Sequence, residues 1–228
     1  MNIDMVDICG FVPALRGMRN SFDSHDNSDT DLMTAGCGYL NPMKNSYNII
    51  VRDMPVIGEN DLTLANKLVK AGEPHCKFRR MIQVWADVEA PLYWWKQYDT
   101  YKIGTVANSE STMHNITDRE FTFDNFVIPE GFEIDGIWTD VIEKLNYYRS
   151  KYLEARERGD KETMNICFRL IVCLLPESWI QMRTICLNYS VLAAIYRDRH
   201  NHKLDEWHDF CKFIEALPYS ELITWRTE

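Results

Sequence analysis

Positive charge is scarce in this sequence, at 25 Lys plus Arg against 34 Asp plus Glu, for a net charge of −9. A chain this acidic, with no local basic patch, has no field to attract an extended phosphate backbone, which excludes nucleic-acid polymers as partners. A small anionic ligand is not excluded, since it needs only a pocket. Long apolar runs are missing too. The longest, Leu170 to Leu175 and Val191 to Tyr196, hold six residues each, against the roughly 20 of a membrane-spanning helix. The first residues carry Asp4 and Asp7 where a leader would have a basic segment and then an apolar one, which argues for the cytoplasm. The seven cysteines, Cys9, Cys37, Cys76, Cys167, Cys173, Cys186 and Cys211, include no C-x-x-C pair. Odd in number and scattered, they read as buried structural thiols of a reducing compartment, with no disulfide framework or zinc site. The spacings G-x-x-x-x-G-K, G-x-G-x-x-G and G-x-S-x-G do not occur, so phosphate-loop and hydrolase-elbow chemistries lack their minimal residues.

What is present is an ordinary globular composition: 228 residues, 46% of them apolar, enough to bury about 70% of the extended surface. No linker, repeat or low-complexity tract divides the chain, which predicts a single α/β domain over 1–228. Tyr47 to Arg52 is short and β-branched, and Ile82, Val84, Ala86 and Val88 alternate at period two, so both predict strands. Between them Asn60 can cap a helix whose stripe is Leu62, Ala65, Leu68 and Val69 and whose end is Gly72. The aromatic run after Pro91 and the polar stretch after it, through Asn115, read as a helix passing into a loop.

The C-terminal half is helix-rich. Ile137, Val141, Leu145, Tyr148 and Tyr152 recur every three or four residues up to Gly159, and Asp160 can cap a second helix running to Leu175, before Pro176. A third helix is predicted through Leu187, Val191 and Ile195, and a fourth through Leu204, Trp207, Cys211, Ile214 and Leu217, before Pro218.

Three constellations could carry chemistry. On a helix, His202 and Glu206 would share a face suited to a divalent metal, but no second carboxylate is assured, so polar surface is the expectation and no metal site is assigned. Arg19 to Asp31 holds Asp23, His25, Asp26, Asp29 and Asp31 with only Phe22 large and apolar. It lacks the central Gly and closing Glu of a calcium loop and reads as a solvated turn. Third, Trp85 to His114 interleaves aromatics with Lys96, Gln97, Tyr101 and Lys102, then supplies Thr105, Asn108, Ser109 and Ser111. Such a stretch can stack a planar ring and bind an anion; equally, Trp94 and Trp95 can fill a core.

This third region resembles the flavin-dependent thymidylate synthases, whose A-P segment, R-Q pair and R-H-R-x-x-S-x-N-E-x-S-x-R signature follow in that order. Ala90-Pro91, Lys96-Gln97 and Thr100-Tyr101-Lys102-Ile103-Gly104-Thr105 leading into Asn108, Ser109 and Ser111 are similar, with one extra residue before Asn108. Gly58 to Phe78 looks like the family's upstream helix and turn. Leu175-Pro176, Asn188, Arg197 or Arg199, and His202 through Glu206 look like its downstream elements. The likeness spans roughly residues 58 to 217. It implies an α+β fold with a mixed or antiparallel sheet and packed helices, a homotetramer with sites where subunits meet, FAD as cofactor, no metal, and a deoxyuridine nucleotide as ligand.

The departures are specific. The family's R-H-R becomes Thr100, Tyr101 and Lys102, its Glu becomes Ser109, its final Arg Met113, and the Arg after its helical Asn Ser190. Each charged hydrogen bond lost removes about 1.5–3 kcal/mol, and an Arg fork is not replaced by a point charge. The resemblance then implies ligand contacts at Lys96, Gln97, Tyr101, Lys102, Thr105, Asn108, Ser109, Ser111, Arg183, Asn188, Arg197, Arg199 and His202. It assigns no catalytic residue. Three readings stay open: a module that holds or sequesters a nucleotide, as a phage or mobile-element relative would; an active flavin-dependent transferase; and a structural oligomer with a vestigial site.

Overall fold

The computed structural model describes residues 1–30, 37–39, 49–51, 55–128 and 136–225. In chain order the strands and α-helices are β1 (Asn2–Cys9), α1 (Phe11–Arg19), β2 (Cys37–Tyr39), β3 (Ile49–Val51), α2 (Glu59–Lys70), β4 (Gln83–Pro91), α3 (Leu92–Tyr98), β5 (Thr105–Ser109), α4 (Thr112–Asn115), α5 (Gly136–Arg158), α6 (Lys161–Leu174), β6 (Ile180–Asn188), α7 (Tyr189–Arg199), α8 (Asp205–Glu215) and α9 (Glu221–Thr224). The expected α+β class holds. One antiparallel sheet has the order β1-β4-β6-β5, and β2 pairs with β3 in a separate antiparallel ribbon. Of the strand expected at Tyr47 to Arg52, Ile49–Val51 is seen; Tyr47, Asn48 and Arg52 lie outside the described residues.

Contacts group the chain into two units, one of residues 1–88, 99–108 and 183–228 and one of residues 89–98 and 109–182. In the first, Val84, Ala86 and Val88 of β4 are fully buried, as their alternation predicts. Ile185 and Leu187 of β6 join them, with Leu192 and Ile195 of α7 and Trp207 and Phe210 of α8. Leu187 therefore belongs to a strand and not, as its spacing to Val191 suggests, to the helix. Asn188 ends β6 and caps α7, its Oδ1 accepting from the backbone N–H of Ser190 and Val191 at 3.1 Å each.

In the second unit, α5 and α6 form a helical hairpin. Gly159 takes φ +69 after α5, and Asp160 caps α6 by accepting from Thr163 N–H at 3.1 Å. Leu145 and Ile171 close a core with Ile116, Phe121, Phe126 and Ile142. Trp94 and Trp95 of α3 are 0% exposed, and Trp95 Nε1 donates to Gln181 O at 3.0 Å. Both indoles are core, so neither is a stacking plate for a ligand. Gln181 is itself buried and donates to Glu110 O and Thr112 Oγ1.

Other expectations are corrected. Arg19, expected in a solvated turn, instead ends α1 and is buried, while the residues after it are mostly exposed and form two short 3-10 turns, at Asn20–Phe22 and His25–Asn27. Asp31 lies outside the described residues. Thr105–Ser109 is a strand, where a helix passing into a loop was expected. Asn60 is inside α2, and the cap comes from Asp29, whose carboxylate accepts from Asn60 N–H at 2.9 Å and Asp61 N–H at 3.1 Å. Cys9 and Cys173 are exposed, so the cysteines are not uniformly buried.

Candidate functional site

A cleft of about 470 Å³ opens in the first unit between the segment 100–104 and the start of α7. Arg80, Tyr101, Lys102, Gly104, Asn188 and Ser190 line it. The segment stays close because Gly104 takes φ +79 against Asn188; a Cβ there would lie 2.8 Å from Asn188 Nδ2. Asn188 Oδ1 takes the first α7 N–H groups and the Ser190 hydroxyl donates to Glu73 Oε2 at 3.4 Å, so what the helix offers the cleft is its positive dipole end. Lys102 is exposed and has no ion pair among the described residues. Arg80, Lys102 and the helix end together make an anion-friendly wall. Sequence reasoning passed over Arg80. The basic pair Arg79-Arg80 ahead of β4 was its signal.

Tyr101 is held from behind. Arg199 Nε donates to its hydroxyl at 3.0 Å, and the guanidinium lies 5.6 Å over the Tyr101 ring and 4.8 Å over Trp207. Burial pushes the Tyr101 hydroxyl up, and Arg199 offsets only part of that. His202 packs edge-on to Trp207 at 6.2 Å and accepts from Leu204 N–H. Burial first, and Arg199 second, hold its imidazole below the usual range. Helix α8 begins at Asp205, so His202 and Glu206 do not share a helix face, and no metal-holding group of His, Cys, Asp and Glu occurs among the described residues.

The remaining candidates are dispersed. Lys96 on α3 pairs with Glu177 at 2.6 Å, Arg183 with Asp99 at 2.9 Å and Arg197 with Asp198 at 3.0 Å. Gln97 is half-buried on the same helix as Lys96. The Thr105 hydroxyl donates to Tyr101 O, and Asn108 and Ser109 are exposed on β5. Ser111 lines another cleft, of about 510 Å³ in the second unit, with Glu89, Glu110, Asp118, Glu120 and Asp124 around the single cation Arg119. Five carboxylates against one guanidinium repel a phosphate. Lys102 and Ser111 thus line different cavities, and Lys96 and Gln97 line neither.

With this geometry in view, comparison with solved structures decides the fold. The chain has the fold of the flavin-dependent thymidylate synthases. A crystal structure of the flavin-dependent thymidylate synthase ThyX from Helicobacter pylori complexed with FAD and dUMP matches at TM-score 0.66 and 14% identity, over 98% of each chain. A second structure of that enzyme with FAD and dUMP, at 2.31 Å, matches at TM-score 0.67 and 14% identity, over 98% of this chain and 97% of the other. No family model matches the sequence, and no curated protein does. At 14% identity the likeness is one of fold. No described helix is long and apolar enough to cross a membrane.

Proposed function

We propose that this chain is a divergent relative of the flavin-dependent thymidylate synthases that binds a phosphate-bearing nucleotide in the cleft of Arg80, Lys102 and Asn188, without the synthase reaction. The observation that carries this reading is the pairing of two cations with the positive end of α7 in one cleft. The fold likeness to a protein complexed with FAD and dUMP supports the ligand class. Residues here fit the phosphates of FAD better than its ring. Arg80 and Lys102 suit an anion, whereas Tyr101 is committed to Arg199 and Ser190 to Glu73. Bound FAD would supply hydride chemistry. Among the described lining residues Tyr101 is engaged by Arg199, and burial raises its hydroxyl further above neutrality, so it does not serve as a base there. Holding a nucleotide is the role these side chains serve.

The same reading includes a homo-oligomer, a tetramer by analogy, in the cytoplasm. Supporting assembly, β5 ends the sheet, with Val106 69% exposed and Ile103 just before it 90% exposed.

Thermal-shift measurements with FAD, dUMP and other mono- and dinucleotides test the binding. A ligand at a hundred times its dissociation constant stabilises by about 2.7 kcal/mol, a rise on the order of 5–10 °C for a chain of this length. Lys102→Ala should diminish the shift, more at low salt than at high salt. No shift with any nucleotide would overturn the proposal. Purified protein carrying a flavin absorbance band and converting dUMP would replace it with the transferase reading.

A further inference from the structure

A smaller cavity of about 250 Å³ in the first unit shares no residue with the cleft at Lys102. Its walls include Val69, Glu73, Arg79, Arg197, His200 and Trp225. Arg79 is only 4% exposed. Its Nη2 donates to Glu73 Oε1 at 2.5 Å and its Nη1 to Leu222 O at 3.0 Å; the Cys76 thiol, a weak acceptor, lies beside the guanidinium, and the buried Nε makes no well-formed hydrogen bond. A guanidinium N–H left unmade in the interior is costly, and an oxyanion is the group that completes it best.

Other walls suit the same guest. Arg197 engages Asp198 through Nε alone, in an exposed pair, which leaves its Nη groups for a ligand. Glu73 is the single carboxylate lining the cavity, and it is already bound to Arg79. Trp225 is 47% exposed, with Lys70 Nζ 4.7 Å from its ring centroid. It adds a flat apolar plate beside a further cation. The volume falls below that of a drug-sized pocket, too small for a dinucleotide.

We propose that this cavity binds a small oxyanion borne on a flat apolar body, such as an aromatic carboxylate or an aryl phosphate. The anion meets Arg79 and Arg197, and the ring lies against Val69 and Trp225.

Calorimetric titration of the full chain with benzoate, phenyl phosphate and neutral benzyl alcohol tests it. At least one anion should bind and the alcohol should not. Arg79 bridges Glu73 and Leu222 and is a poor choice for substitution, so Arg197→Gln and Trp225→Ala are the variants. Arg197→Gln should weaken the anion roughly tenfold or more, and Trp225→Ala several-fold. Lys102→Ala, which alters the other cleft, should leave it unchanged, so the two sites fail separately. Absence of binding by both anions at millimolar concentration, or binding indifferent to both Arg197→Gln and Trp225→Ala, would overturn the proposal.

Discussion

Asp61 is 0% exposed and collects four hydrogen bonds: from Arg19 Nε at 2.5 Å, Ser28 Oγ at 2.7 Å, and Thr30 Oγ1 and N at 2.5 and 3.2 Å. Burial alone would push its carboxyl up, but the donors from Thr30, Ser28 and Arg19 outweigh it and hold the group below the ordinary range. A folded-state pKa below the unfolded one means stabilisation that is present above about pH 3.9 and is lost as pH falls through the folded value. Asp61→Asn leaves Arg19 buried and uncompensated, at a cost of about 3–5 kcal/mol by urea denaturation at neutral pH. The same variant should also flatten the acid limb of the stability profile; an unchanged limb would show that another carboxylate sets it. This residue also explains the polar run from Arg19 to Thr30. Read along the chain, Ser28, Asp29 and Thr30 look like solvated turn residues, because their partner lies 31 to 33 positions away.

At the scale of elements, legibility follows whether the signal is local. Helices α5 and α6 were readable because their stripe, Gly159 and the Asp160 cap all lie within a few residues of each other. The start of α7 was not, since Leu187 fits both a strand's inward face and a helix spacing to Val191; pairing of β6 in the sheet settles it as strand. Edge strand β5 reads Thr-Val-Ala-Asn-Ser and is exposed along nearly its whole length, so no apolar alternation marks it. The turn before it carries the cleft. Gly104→Ala would place a Cβ 2.8 Å from Asn188 Nδ2 and 3.1 Å from Val191 Cγ2 in a left-handed backbone. The expected loss is about 1–2 kcal/mol from the backbone alone, read by chemical denaturation, together with loss of nucleotide-dependent thermal shift. Full retention of both would mean the turn relaxes freely.

Beyond single elements, the exposed end of the sheet bears on assembly. An edge strand offers unpaired N–H and C=O groups as a template for another chain, and Ile103 and Val106 add apolar surface to it. The proposed homo-oligomer, if built on this edge, gives way to monomer in the native mass spectrum of Ile103→Glu with Val106→Glu. An unaltered subunit count would place the interface elsewhere. At this scale the net charge of −9 also matters. Cations are few, and most of the expected anion-binding ones are spent on neighbours: Lys96 on Glu177, Arg183 on Asp99, Arg199 on Tyr101.

The sequence alone determined the α+β class, the late helices and the alternation of β4, because each rests on residues near one another along the chain. Candidates chosen by adjacency, such as Lys96, Lys102 and Ser111, were separated into different surroundings by tertiary structure. Only folding joined Arg80 and Lys102 to Asn188, since Asn188 lies 108 positions after Arg80 and 86 after Lys102. Tertiary structure likewise made Arg19 a buried ion-pair partner and left Arg79 with an unfilled donor. Periodicity reports which face is buried. Which charges meet there depends on long-range packing that no local window contains.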